Sequence, residues 1–267
     1  MTQNLGERAG ESLAAIGQKQ PLIHNITNFV VMNTTANALL ACGASPVMAH
    51  AADEVEQMVA FAGALVLNIG TLTPVWLDSM LLAAARARQL GVPVILDPVG
   101  SGATDLRTQS CRRIMAVGVS VVRGNASEVL SLTDAASQTK GVDATHSVDD
   151  AAQAGRDLAR ALGTPVAITG AVDLITDGQR SLRVANGHPM LTKVTGTGCT
   201  ASALIGAFLA VDPDPLTAAA AALAYLGLAG ERAAAISQGP GSLQVNLLDA
   251  LYTLTPEDLA REARISA

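Results

Sequence analysis

What most constrains this chain is a recurrent change of period along its first two thirds. Residues 64–69, 92–96, 119–122 and 165–169 are short apolar runs rich in β-branched side chains and bounded by turn residues. None of them alternates apolar with polar, so each reads as a strand buried on both faces, the signature of a parallel sheet. Helical patterns separate them, at residues 53–61 and 76–90, the second ending at Gly91 as a C-cap. Such alternation builds βαβ units. Residues 174–186 break the pattern, with two short strand-like pieces around Asp177-Gly178, which predicts a hairpin at one sheet edge. The sheet is then mostly parallel and mixed. Beyond it come Ala-rich helices at 199–211 and 216–229. A final helix is announced by Thr255-Pro256-Glu257-Asp258, a cap, a proline at the first position and two acids facing the dipole. No repeat or linker divides the chain, so residues 1–267 are expected to form one α/β domain.

Composition narrows the function. With 17 Lys plus Arg against 23 Asp plus Glu, only three lysines (Lys19, Lys140, Lys193) and 2% aromatics, the chain lacks the charge and the stacking surface of a nucleic-acid binder. Three cysteines without a CxxC spacing, and four histidines without HExxH, argue against a disulfide framework or a zinc site. Glu7, Arg8 and Glu11 stand where a secretory signal needs an apolar core, which predicts a cytoplasmic protein. The charge-free stretch from Val194 to Val211 opens on Thr-Gly-Thr-Gly and is mostly small residues, so it reads as a buried helix and no membrane is expected.

Ligands of an open parallel sheet gather at the carboxyl ends of its strands. There the chain carries Asn68-Ile69-Gly70-Thr71, Asp97-Pro98, Arg123-Gly124-Asn125 with Glu128 beyond, and Thr169-Gly170. The sharpest local signal is Thr195-Gly196-Thr197-Gly198-Cys199-Thr200, which opens a long helix. Its glycines admit close approach and the first N–H groups of the helix favour an anion, so it reads as a phosphate cradle. It is not a P-loop, because none of the three lysines lies between Gly and Ser or Thr. Asp97 and Glu128 suit magnesium, a hard cation that takes oxygen ligands, often through water; equally, Asp97 could cap a turn and Glu128 could begin a helix behind an Asn cap. Arg123 could clamp phosphate with its fork of donors or pair with a surface acid. Asn25, Met48, His24 and His50 say little by themselves.

Taken in order, HNITN (residues 24–28), SPVMA (45–49), LDPVG (96–100), VVRGNASE (121–128), ITG (168–170) and VTGTGCTASA (194–203) resemble the hydroxyethylthiazole kinase family of the ribokinase-like superfamily. The resemblance runs along nearly the whole chain. It implies a three-layer α/β/α fold and Mg²⁺-dependent phosphorylation of 4-methyl-5-(2-hydroxyethyl)thiazole by ATP in thiamine salvage. Carried over residue by residue, it assigns Arg123, Thr169 and Asn125 to ATP, Met48, Gly196 and Asn25 to the thiazole alcohol, and Asp97 and Glu128 to the metal. Gly196, Thr197, Gly198 and Cys199 become the catalytic loop, with Cys199 as base or positioner, its thiol expected to be acidified by the helix N-terminus. Another ribokinase-like activity, a hydroxymethylpyrimidine kinase or a nucleotide-dependent dehydratase, typically carries Asp where Cys199 stands; a non-catalytic nucleotide-binding protein would need neither carboxylate. The resemblance further implies a homotrimer with active sites at subunit interfaces. The segment holding Asn25 and Met48 precedes the first clear core strand, which places both outside the part of the sheet that carries Asp97, Arg123 and Gly196 and leaves a neighbour's loop to close the pocket.

Overall fold

The computed structural model describes residues 4–133 and 147–267. Among the described residues nine strands form one sheet: β1 (Leu22–Ile26), β2 (Ser45–Val47), β3 (Ala64–Asn68), β4 (Val94–Asp97), β5 (Val121–Asn125), β6 (Val166–Thr169), β7 (Asp173–Thr176), β8 (Ser181–Val184) and β9 (Ile265–Ser266). Their order is β2-β1-β3-β4-β5-β6-β7-β8-β9. From β2 to β6 every pairing is parallel, and from β6 to β9 every pairing is antiparallel. The four strands expected from apolar runs are all present, and the Asp177-Gly178 turn joins β7 to β8 at the antiparallel edge.

Helices cover both faces. On one lie α3 (Val55–Val59), α4 (Pro74–Leu90), α5 (Asp105–Val117), α6 (Ala126–Leu132) and α7 (Val148–Leu162), packed on Leu65, Leu67, Leu96, Val122 and Ile168. On the other, α8 (Thr197–Leu209) lies on β1, β3 and β4, α9 (Pro215–Ile236) on β7 and β8 and α2 (Met32–Ala41) on β2, while α10 (Pro240–Thr253) packs on α9 and α2, enclosing a core that includes Ile23, Val66, Ile95 and Val121. Outside these, α1 (Leu5–Lys19) packs on α9 and on α11 (Pro256–Glu262). Strand residues therefore alternate between two cores, as the pleat requires, and the fold is three-layered. Local signals stop the helices where expected: Thr73 caps α4, Pro74 opens it, and Gly91 ends it at φ 70°. The helix α9 has the length and apolarity to cross a bilayer, yet most of it is buried in the core.

The expectation for the N-terminal segment is corrected. Residues Leu22–Ile26 are a strand inside the sheet, flanked by β2 and β3, not a stretch beyond it. His24 and Asn25 interrupt its apolar run, and both are nonetheless fully buried. The carboxyl end of β1 lies beside that of β3, so the turn that follows it belongs to the same edge as Asp97 and Arg123.

Candidate active site

The pleat decides which strand-end side chains meet. Counting by two from Val66, Ile95, Val121 and Ala167, all in the α8-side core, Asn68, Asp97, Arg123 and Thr169 face the same side. The register sets Asn68 beside Asp97 across β3 and β4. The result is a buried polar row along the sheet's carboxyl edge. Asn28 Nδ2 donates to Asn68 Oδ1 at 2.8 Å, and Asn68 Nδ2 to Asp97 Oδ2 at 2.7 Å. Arg123 Nη1 lies 3.7 Å from Asp97 Oδ1, and its Nη2 donates to Thr169 Oγ1 at 2.5 Å.

Two atoms of this row are left over. Asp97 Oδ1 and Arg123 Nε are buried and have no hydrogen-bond partner. A charged group so placed is costly unless something else engages it, so the pair marks where a ligand would complete the site. Burial pushes the Asp97 carboxyl up to about 6, with Arg123 opposing and Glu128 adding to the rise.

Above the row stands the N-terminus of α8. Gly196, its N-cap, has φ 86° and no side chain to cap the helix, and a Cβ there would lie 2.7 Å from Val31. A Cβ on Gly198 would lie 2.8 Å from Arg123 Nη1, so the guanidinium rests directly on the helix start. Thr200 N makes the first intrahelical bond back to Gly196 O at 2.8 Å, which leaves the amides of the preceding turn uncapped by any side chain. Thr197 contributes differently: its hydroxyl turns back to the carbonyls of Leu191 and Val194 and fastens the loop.

The carboxylate of Glu128 is held rather than loose. Its Oε1 accepts from Gly100 N at 2.9 Å and its Oε2 from Asn125 N at 2.8 Å, while Asn125 Oδ1 accepts from Glu128 N. Asn125 and Glu128 thus form a capping box at the start of α6, and the same bonds aim a fixed carboxylate at the strand ends. The capping reading of Glu128 holds. For Asp97 the turn-capping reading fails, because its carboxylate bonds Asn68 and Ser202 instead.

The thiol of Cys199 departs from expectation. Burial, reinforced by the negative charge of Asp97, pushes it up to about 11, against the smaller opposing pulls of Asn68, Arg123 and Asn28. Desolvation thus favours the neutral thiol.

Of the two residues assigned to the acceptor from the N-terminal segment, Asn25 is fully buried in β1, its Nδ2 bonded to Ile23 O and its Oδ1 without a partner. Met48 follows β2, with β1 and β3 between it and β4, about 14 Å from the Asp97 strand at ordinary strand spacing. The segment nonetheless reaches the Gly196–Cys199 loop within one chain, since Asn28 Nδ2 approaches Cys199 Sγ at 3.6 Å and Val31 packs on Gly196. Asn28 and Val31 thus meet the loop within one chain, while Met48 stands three strands away from β4.

Sequence reasoning passed over Asn28, Ser202 and Arg107. From α5, Arg107 donates to the carbonyls of Ile69, Gly70 and Val99, tying the loops after β3 and β4 together. Only Asn28 carried a visible cue, as the last residue of HNITN.

Among the described residues no group of three or more His, Cys, Asp or Glu could hold a metal. Two carboxylates, one with a buried free oxygen, fit an ion that keeps most of its shell as water and phosphate oxygen. The arrangement can bind an anion against Arg123 and the α8 amides and place a cation beside it.

The hydroxyethylthiazole kinase family matches residues 13–257. The chain is 61% identical over 263 residues to a hydroxyethylthiazole kinase of Desulfotalea psychrophila, covering 98% of this chain and 96% of that one. With another, from Desulfosudis oleivorans, it shares 58% identity over 92% and 91% of the two chains. The solved structure of the hydroxyethylthiazole kinase protein from Pyrococcus horikoshii OT3 superposes with a TM-score of 0.90 at 46% identity, over 97% of this chain and 98% of that one. At 15% identity and a TM-score of 0.60, a ribokinase-like superfamily protein from Enterococcus faecalis, matched over 94% of this chain and 83% of its own, shares the fold alone. By its sequence throughout, and by a ribokinase-like sheet whose strand ends carry the polar row, the chain belongs to the hydroxyethylthiazole kinase family.

Proposed function

We propose that the chain transfers the γ-phosphoryl group of ATP to the primary hydroxyl of 4-methyl-5-(2-hydroxyethyl)thiazole, giving the thiazole phosphate and ADP in thiamine salvage. The observation that carries this reading is the pair of buried, incompletely partnered charges, Asp97 and Arg123, beneath the uncapped start of α8.

In phosphoryl transfer the protein's task is alignment and charge neutralisation. Arg123 and the amides of Gly198 and Cys199 donate to the transferring oxygens; Thr169 holds Arg123, and Asn125 lies at the nucleotide end of the row. Asp97 and Glu128 would hold Mg²⁺, whose charge would offset that of the phosphoryl oxygens. Gly196, Met48 and Asn25 belong to the acceptor end. The bond from γ-phosphorus to the β–γ bridging oxygen breaks, a bond to the alcohol oxygen forms, and the hydroxyl proton departs late to the phosphate product, as a loose transition state allows. Burial favours the protonated Cys199 thiol, which supports a hydrogen-bonding positioner of the alcohol over a base.

We read the active assembly as a cytoplasmic homotrimer of single-domain subunits. Its support is the family resemblance together with Phe29 and Val30, large apolar residues that lie 62% and 63% exposed beside the site. Sedimentation of the active enzyme at three times 27.1 kDa supports this assembly, and a fully active monomer rejects it.

The deciding assay offers the thiazole alcohol and the hydroxymethylpyrimidine alcohol side by side, with and without Mg²⁺. Mg-dependent ADP release with the thiazole is the expected result. Preference for the pyrimidine moves the chain to the rival kinase activity, and nucleotide binding without turnover of either makes it a binding protein.

A further inference from the structure

The amides of Asn28 and Asn68 are the part of the polar row that the functional reading does not use. They are 4% and 1% exposed, and each is satisfied in a way that permits one orientation. Asn68 Oδ1 accepts from Asn28 Nδ2 at 2.8 Å and from the backbone N of Gly70 at 2.9 Å, which fixes its oxygen and turns its Nδ2 onto Asp97 Oδ2 at 2.7 Å. Ser202 Oγ donates to the same Asp97 oxygen at 2.9 Å. With Oδ2 held by two donors, the other oxygen of Asp97 is left to face Arg123 and the ligand side. Asn28 is fixed in turn: its Oδ1 accepts from Val30 N at 3.1 Å, and its Nδ2 serves both Asn68 and Cys199 Sγ. A flip of either amide would set oxygen against oxygen.

The backbone has been shaped around this contact. A Cβ on Gly70 would lie 2.6 Å from Asn28 Nδ2, while the φ of Gly70 is not in the positive range that calls for glycine. The missing side chain at position 70 is therefore explained by the seat of Asn28 alone.

We propose that Asn28 and Asn68 are positioning residues, a two-amide relay that joins the acceptor end of the site at Cys199 to the metal end at Asp97. The relay sets which carboxylate oxygen faces the cation. It also occupies the sulfur of Cys199 as an acceptor, so that the S–H proton is directed to the alcohol oxygen. Outer partners of this kind govern the affinity of the groups they orient, commonly by about 10- to 100-fold. The inference rests on the kinase reading above.

The test compares wild type with Asn68→Ala, Asn28→Ala, the double variant, and two further substitutions. Asn28→Asp keeps the acceptor for Val30 N–H and loses both donors. Gly70→Ala leaves every polar group in place and crowds Asn28 out of its seat. Each folded protein is measured for kcat and KM of the thiazole alcohol, for Mg²⁺ dependence, and by calorimetry for binding of ADP with and without Mg²⁺. The relay requires kcat to fall about tenfold or more in both alanine variants, with KM of the alcohol changed less, and the double variant to lose no more than the worse single. Asn68→Ala weakens binding of ADP with Mg²⁺ about tenfold and leaves metal-free ADP binding unchanged. Gly70→Ala follows Asn28→Ala. Wild-type kcat and wild-type Mg-dependent ADP binding in folded Asn68→Ala overturn the relay, as do single losses that multiply in the double variant. A wild-type enzyme that binds ADP with Mg²⁺ but ignores the thiazole alcohol counts against the functional reading only, and the calorimetric arm still decides the relay.

Discussion

Two regions of this molecule are rich in charge, and they treat it in opposite ways. Around α11 and the start of α9, arginines and acids close on one another in the open: Arg232 with Asp258 and Glu262, Arg261 with the same two acids, Arg264 with Glu231, and Arg180 with Asp177 and Asp214. These partners hold the carboxyls of Asp258 and Glu262 below their ordinary range. At the strand ends the balance is reversed. Asp97 and Arg123 are buried, their nearest approach is 3.7 Å, and each keeps one atom without a partner. Surface pairs satisfy each other and contribute little. A buried pair that stops short of closing is held open by the fold around it, and that incompleteness is what supports the proposed ligand site.

The largest expected effects follow from breaking the open pair. Asp97→Asn and Arg123→Ala should each lower kcat/KM about 10³-fold or more, since each removes charge that acts on the transition state. Steady-state kinetics on folded protein measures this. Losses under tenfold would erase the distinction between the two regions. Glu128→Gln comes next. Its carboxylate is seated by two backbone amides, so the substituted side chain keeps its place while losing charge. Turnover should drop about 10- to 100-fold with little change in KM of the neutral acceptor, and a normal magnesium titration would take Glu128 out of the metal assignment.

How far the sequence could reveal this contrast depends on what kind of interaction made it. Strands β3 to β6 were legible because burial on both faces leaves an uninterrupted apolar run. With the strands placed, the pleat's period of two sets Asn68, Asp97, Arg123 and Thr169 on one face. The β7–β8 hairpin was legible through its Asp-Gly turn. β1 was not: His24 and Asn25 sit in its middle, and only a buried polar environment that forms in the tertiary structure accommodates them there. For Cys199 the sequence shows position near a helix start, which favours the thiolate, but not the burial that opposes it. The Asn28–Asn68 contact spans 40 positions and depends on Gly70 lacking a side chain, which no local pattern announces.

A buried carboxylate outside the polar row sharpens the comparison further. Asp173 accepts from Gly170 N at 2.9 Å, and burial pushes its carboxyl up to about 6, with the Gly170 bond and Arg123 opposing. Its folded pKa lies above the unfolded one, so the native state binds this proton more tightly. The stability it lends is present below about pH 4 and is lost as pH rises to about 6. Asp173→Asn keeps the acceptor for Gly170 and removes the charge. It should therefore be more stable than wild type above pH 6, by at most about 2–3 kcal/mol, with the two curves converging toward pH 4. Asp97 slopes the same way in both proteins, so the difference between denaturation curves isolates Asp173. A constant offset across pH 4 to 8 would mean that its charge is not the source.

The smallest effect belongs to the surface. Arg261 bonds both Asp258 and Glu262, but Arg232 bonds the same two carboxylates, and Asp258 also caps α11 through Thr255. Arg261→Ala thus leaves neither acid unpartnered, and the side chain it removes was mostly in solvent. At neutral pH its melting temperature and its kcat/KM should match wild type. Because Asp258 and Glu262 have depressed folded pKa values, whatever the cluster contributes is present above the unfolded carboxylate range and is lost as pH falls through the folded values. Any residual difference between variant and wild type should therefore be largest near neutral pH and vanish as the two acids protonate, and added salt should shrink it. A loss of stability at pH 7 as large as the gain from Asp173→Asn would show that closed surface pairs carry weight here after all, and that an ion pair's reach for a ligand cannot be judged from whether it closes.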